Sequence, residues 1–246
     1  MGNNEKKYIY LTFDSGYEAG YTKKILEVLK QNQVPATFFI TAHYVNTQPD
    51  LVKQMIDEGH IIGNHTVNHK SMPEINNETI KKEVMELHTS IYEKFGYEMK
   101  YIRPPKGEYS ERTIAYTNTL GYTTVMWSFA YDDWDEAKQG REAYGKNKIL
   151  DNLHNGEVML LHGTSKDNSN ILDECIKEIK KQGYEFKSLD EFEQWCQLGD
   201  VPFSAIFGWL RRNVPRVTRW QKKERPLTDK EEIWEKENNQ VDWIPY

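Results

Sequence analysis

Between Lys6 and Cys196 the chain alternates short apolar runs that end in a polar residue with stretches whose apolar positions recur at helical spacing. Tyr8 to Phe13 is a β-rich run closed by Asp14, and Ile25, Leu26, Val28 and Leu29 predict a helix over 21–30. Ala36 to Thr41 predicts the next strand, and Pro49, a residue favoured in a first turn, opens the next helix. After a strand over 60–64, the stripe Ile80, Val84, Leu87, Ile91, Phe95 predicts a helix over 78–95, capped by Asn76 or Asn77. Three more pairs follow, at 100–103 with 111–120, 123–129 with 146–153, and 157–162 with 168–181. A short strand over 185–187 then leads into a helix over 189–195. Gly121 and Gly183 sit just past two of these helices, where a left-handed residue is wanted. About seven such repeats predict an α/β fold, a deformed (β/α) barrel of about seven parallel strands rather than an open three-layer sheet.

The pattern stops near Gln197. Residues 211–223 are basic, residues 229–237 are acidic, and Trp209, Trp220, Trp234 and Trp243 punctuate the stretch. The chain therefore divides into a domain over 6–196 and an extension over 197–246. The extension either packs its aromatics on the barrel or serves as a docking tail for a partner or an anionic wall polymer. A net charge of −6 over 246 residues excludes general affinity for nucleic acid, which needs a basic face. Mean hydropathy is −0.80, and no apolar run approaches the roughly 18 residues of a membrane span. Met1 to Lys7 has no apolar core of a signal peptide, so the expectation is a cytosolic protein or one whose export segment has been removed. Of the two cysteines, Cys175 shares a helical stripe with Ile171, Leu172, Ile176 and Ile179 and reads as a buried thiol; no disulfide framework is indicated.

Candidate chemistry collects where strands end. Asp14, His65 with His69, Arg103, Asp133 and His162 each follow an apolar run, and parallel strands would bring them all to the carboxyl edge of one sheet, where α/β folds keep active sites. Singly, each has an ordinary alternative: an Asx turn for Asp14 before Gly16, a structural histidine for His162, a fold ion pair for Arg103. Together on one edge they point to an enzyme. The i, i+4 spacing of His65 and His69 places two imidazoles on one face of a helical turn, an arrangement suited to a divalent transition metal, most often zinc.

These segments resemble, in order, the five motifs of the NodB-type polysaccharide deacetylases, carbohydrate esterase family four. Thr12-Phe-Asp-Ser-Gly16 resembles T-F-D-D-G, His65-Thr-Val-Asn-His69 resembles H-[ST]-x-x-H, and Arg103-Pro-Pro-Lys-Gly107 resembles R-x-P-x-G. Asp133-Trp134 is similar to the D-W element and Leu160-Leu-His162 to the L-x-H ending. Finer features resemble the sporulation-type muramic acid de-N-acetylases that prepare δ-lactam in spore peptidoglycan: Gly16 to Thr22, Ser110-Glu-Arg-Thr113 and Ser165-Lys-Asp-Asn168.

The resemblance implies Asp14 as general base, His162 as general acid, Arg103 positioning Asp14, and Asp133 orienting His162. It implies His65 and His69 as ligands of a divalent metal, zinc first, with cobalt or manganese as alternatives, and Lys106, Trp134 and Leu160 against substrate. The Lys106 N–H would face the reacting carbonyl, while its ammonium either reads a lactyl carboxylate or is solvated at the rim. One departure stands out: the family's third ligand is the second Asp of T-F-D-D-G, and this chain has Ser15, a neutral and poor zinc ligand, with Asp132 the lesser candidate for a stand-in. The implied function is removal of N-acetyl groups from peptidoglycan, foremost from N-acetylmuramic acid. The alternatives are an N-acetylglucosamine deacetylase acting on peptidoglycan or chitin-like chains, and a glycan-binding protein with a weakened site. The implied partners are peptidoglycan strands, with no nucleic acid and no membrane span, for a monomer outside the membrane at the cell wall or spore cortex.

Overall fold

A computed structural model describes residues 6–198 (backbone alone for 195–198), 221–223 (backbone alone for 221), 226, 228 and 231. The remaining positions of the extension, among them the four tryptophans and most of its two charged runs, lie outside the described residues. Strands β1 (Tyr8–Ser15), β2 (Ala36–Ile40), β3 (Ile61–Asn64), β4 (Tyr101–Ile102), β6 (Thr123–Thr124) and β7 (Glu157–His162) run in the order β6-β4-β3-β2-β1-β7. The short β8 (Glu185–Phe186) pairs with the start of β1, and every pairing is parallel. Strand β5 (Glu108–Tyr109) stands apart and pairs with β9 (Gln221–Lys222). The helices are α1 (Thr22–Asn32), α2 (Ala42–Thr47), α3 (Pro49–Asp57), α4 (Asn77–Phe95), α5 (Glu111–Thr119), α6 (Glu142–Asp151), α7 (Lys166–Lys181) and α8 (Leu189–Leu198).

The two-residue period of the strands sorts their side chains. Ile9, Leu11 and Phe13 of β1, Phe38 and Ile40 of β2, and Met159 and Leu161 of β7 join the core shared with the helices. The alternate set, Tyr10, Phe39, Val158 and Leu160 with Trp127, packs as a second cluster on the other face. Asp14 and His162 belong to this second face and are Cα partners across the β1–β7 ladder. The sheet thus delivers a carboxylate and an imidazole side by side at its carboxyl edge.

The helix signals hold: Asn76 caps α4 through Thr79 N, and Gly121 and Gly183 both take φ of +85°. The strand expected over 123–129 is interrupted. It leaves the ladder after Thr124, because the Val125 carbonyl receives Arg103 Nε at 3.2 Å instead of a strand partner. The chain then crosses to the other edge, where Phe129 bridges Met159 of β7, so a single bridge joins the two ends of the curled sheet. Cys175 is buried on α7, a free thiol within the helix-facing core.

Candidate active site

Arg103 is fully buried and reaches across the barrel mouth to donate from Nη1 to Asp14 Oδ1 and Thr12 Oγ1, each at 2.9 Å. Its guanidinium lies 4.2 Å from the centroid of the Phe39 ring and 5.6 Å from that of Trp127. Gly63 makes room for this stack: a Cβ there would come within 2.4 Å of Phe39 Cδ1. The Arg103 carbonyl meets His65 Nδ1 at 2.9 Å, which turns Nε2 toward the site. His65 Nε2 then lies 3.5 Å from Asp14 Oδ2 and 3.1 Å from His69 Nε2.

The two imidazoles converge, but not on a helical turn. Residues 65–70 are a loop, and Thr66 and His69 both take left-handed backbone, with φ of 68° and 53°. Side chains of the loop and its supports outcompete the helix. Asn64 Oδ1 accepts from Thr66 N, Thr66 Oγ1 accepts from His69 N, and buried Glu83 on α4 accepts from Asn68 N and Nδ2. A non-glycine residue at positive φ persists only where its surroundings hold it.

On the facing strand, His162 Nδ1 donates to Asp133 Oδ1 at 2.8 Å, and His162 N donates to Asp133 Oδ2 at 2.7 Å. Asn168 Nδ2 donates to the same Oδ2 at 2.6 Å, and Tyr131 donates its hydroxyl to Asn168 Oδ1. Gln139 and Asp167 bind the rest of the loop over 131–141 to the first turn of α7. Asn168 was not among the expected site residues. Its signal was present in Ser165-Lys-Asp-Asn168, but only the fold shows that this turn faces Asp133.

Burial acts on every group here, and the neighbours decide the outcome. Burial pushes the Asp14 carboxyl up, but Arg103, His65 and His162 outweigh it and hold it below the usual carboxylate value. Burial drives His65 down despite Asp14, and burial with the adjacent His65 pushes His69 to about 4. His162 moves the other way: burial lowers it, and Asp133 and Asp14 more than reverse that. Neutral imidazoles at positions 65 and 69 are the form a metal requires.

Of the other expected residues, Trp134 is exposed beside Asp133, and Lys106 is exposed with left-handed backbone at φ 59°. Leu160 is 3 % exposed and packs with Tyr10, Phe39 and Trp127, on the sheet face that also carries Asp14 and His162. Asp132 is no stand-in ligand, since Lys138 and Arg141 hold its carboxylate at 2.9 and 3.2 Å. Tyr17, exposed and donating to Glu136, is an aromatic that the sequence alone did not single out.

A divalent metal fits the two histidines. With zinc–nitrogen bonds of about 2.0–2.1 Å, tetrahedral ligands lie about 3.3 Å apart, close to the 3.1 Å between the two Nε2 atoms. Among the described residues no group of three or more His, Cys, Asp or Glu forms a ligand cluster. Ser15 at the third position is buried, and its Oγ has no hydrogen-bond partner among the described residues.

A family model described as polysaccharide deacetylase matches residues 1–125. The chain is 45% identical to the peptidoglycan-N-acetylmuramic acid deacetylase PdaA of Bacillus subtilis, over 80% of this chain and 76% of that protein. It is 36% identical to a peptidoglycan-N-acetylglucosamine deacetylase of Bacillus cereus, over 76% of this chain and 89% of that one. The solved structure of B. subtilis PdaA, a family 4 carbohydrate esterase, matches with a TM-score of 0.75 at 44% identity, covering 79% of this chain and 84% of that one. The chain belongs to the polysaccharide deacetylase family. Its members are hydrolases of carbohydrate esterase family four and in general depend on a divalent metal.

Because the folded-state value of His162 is raised, its pairing with Asp133 adds stability that is complete below the ordinary imidazole value and lost as pH rises through the raised one. In NMR titration of the metal-free protein His162 is expected to titrate above free histidine, and Asp133→Asn to lower its midpoint. An unchanged midpoint in that variant contradicts the pairing.

Proposed function

We propose that this chain hydrolyses the acetamide of N-acetylmuramic acid in peptidoglycan, releasing acetate and leaving a free amine on the sugar. The observation that carries this reading is the opposed pair on adjacent strands: Asp14, lowered below the usual carboxylate value by Arg103, beside His162, raised above the usual imidazole value by Asp133. Two titratable groups whose surroundings drive them in opposite directions are the signature of a base and an acid. The stronger likeness to the muramic enzyme than to the glucosamine enzyme favours the muramic substrate. The second reading is deacetylation of N-acetylglucosamine.

The residues take the following parts. Asp14 receives the proton of the attacking water, and Arg103 keeps the carboxylate turned toward it. A divalent metal, zinc foremost with cobalt or manganese as alternatives, would be held by His65 and His69 and supplies positive charge that acidifies water and polarises the carbonyl. The Lys106 N–H faces the carbonyl oxygen as negative charge develops there. His162 gives its proton to the departing amine, and Asp133 steadies the imidazole through that transfer. Trp134 and Tyr17, exposed aromatics on neighbouring loops, offer faces to the glycan, and the Lys106 ammonium is a cation for the lactyl carboxylate. The freed amine shares its sugar with that lactyl group, so the class of reaction that follows is closure of the amine on the lactyl carboxyl to a δ-lactam, with loss of water. This substrate places the protein outside the membrane, at the wall or spore cortex.

Mass spectrometry of muropeptides after incubation tests the reading. Loss of one acetyl assigned to the muramic residue is expected, with Asp14→Asn lowering the rate by about 10²-fold or more in a folded protein. Loss from glucosamine instead selects the second reading, and no loss from either sugar removes both.

Ser15 bears on the metal. Two imidazoles without a carboxylate make a weak site, and Ser15→Asp adds an anionic oxygen, so zinc affinity by calorimetry is expected to tighten about tenfold or more. An unchanged affinity means that residue 15 does not face the ion.

A further inference from the structure

The Ser110-Glu-Arg-Thr113 segment has no part in the chemistry above, yet it carries one of the most buried charges in the protein. Ser110 caps α5 in a capping box with Thr113, which turns Arg112 inward to 4 % exposure. Arg112 Nη1 donates to Asn77 Oδ1 at 2.6 Å, and Nη2 donates to the carbonyls of Pro73 and Ile75 at 3.2 and 2.9 Å. Its counter-charge comes from the extension: Glu231, also 4 % exposed, brings Oε1 to 3.5 Å from Nη1 and accepts Asn77 N at 3.2 Å. Thr228 occupies the other carboxylate oxygen through its N–H and hydroxyl. Removing one partner of such a pair leaves an uncompensated buried charge.

A second attachment lies nearer the site. β9 pairs in parallel with β5, Glu108 opposite Gln221 and Tyr109 opposite Lys222, and Lys223 N donates to Tyr109 O at 2.9 Å. Lys223 Nζ reaches Glu108 Oε1 at 2.7 Å and Glu74 Oε1 at 3.1 Å. β5 begins where the loop over 103–107 ends. That loop contains Lys106 at φ 59° and Gly107 at φ 65°, and a Cβ on Gly107 would meet the Trp127 ring at 2.5 Å. Trp127 therefore bounds the loop on one side, and the strand carrying Glu108 and Tyr109 fixes its exit. A left-handed lysine costs free energy and needs surroundings that hold it.

We propose that the described residues between 221 and 231 form a clasp that locks this loop in its working shape, with Glu231 seated on Arg112 as its anchor and Lys223 as the positioning residue that acts through Glu108. The described residues of the extension are then part of the catalytic unit, acting through the loop. The catalytic consequence rests on the deacetylase reading, because it acts through the Lys106 N–H.

Two measurements on the full chain test this, comparing Lys223→Ala, Lys223→Arg and Glu231→Gln with the parent. In hydrogen exchange, amides of residues 106–109 should exchange about tenfold faster in Lys223→Ala and Glu231→Gln while those of α4 stay protected, and Lys223→Arg should behave as the parent. In acetate release, Lys223→Ala should lower kcat about tenfold with KM within about twofold, and Lys223→Arg should restore it, since a misplaced donor weakens the transition state rather than substrate binding. Unchanged exchange at 106–109, or exchange that rises equally in α4, overturns the clasp. Faster exchange with unchanged kcat overturns its positioning role. If the parent releases no acetate, the deacetylase reading falls, and the exchange measurement still decides the clasp.

Discussion

A guanidinium with no access to water sets the terms on which the barrel mouth forms. Burying a charge of this kind is costly unless it is paired and its donors are used. The surrounding strands meet most of that demand: Asp14 and Thr12 of β1 take Nη1, the Val125 carbonyl takes Nε, and Phe39 of β2 presents a ring face, while Nη2 has no hydrogen-bond partner among the described residues. The consequences spread outward. β6 ends where Val125 gives its carbonyl to the side chain, Asp14 is fixed in rotamer and ionised, and the backbone of the same residue orients His65. One residue thus couples the proposed base to the proposed metal ligands.

Across the site, Asp133 shows how a second carboxylate of the same chemistry does different work. It accepts three hydrogen bonds from His162 and Asn168, and so is committed to orienting an imidazole. Asp14, next to an arginine, is held below the usual carboxylate value instead. Neither assignment lies in the residue type; each lies in what the fold places beside it. The same holds for Ser15, which stands where the family's motif has an aspartate and offers only a buried hydroxyl.

The parts of this structure that could be read from sequence are those governed by period and local chemistry. The stripe from Ile80 to Phe95 and the left-handed glycines located helices, and the polar residue closing each apolar run located the sheet edge. Asp14, His65, His69, Arg103, Asp133 and His162 do meet there. What sequence concealed depends on contacts distant along the chain. The histidine pair converges from a loop pinned by Glu83, fifteen positions away from Asn68, so the i, i+4 spacing had the right result for the wrong conformation. Asn168 acquires meaning only once α7 starts beside Asp133, and Arg112 only once Glu231 arrives from the extension. Thr123 to Phe129 reads as one strand because propensity cannot foresee that Arg103 claims the Val125 carbonyl.

Arg103→Lys tests the organising role of this side chain most directly, because lysine keeps the positive charge but lacks the planar fork. The measurement is acetate release alongside zinc affinity in the folded variant. The carbonyl that orients His65 is backbone and survives, so affinity should stay within a few-fold, whereas turnover should fall at least about tenfold as Asp14 loses its fixed orientation. Near-parental turnover in Arg103→Lys would contradict the account, since charge alone would then suffice to organise the site.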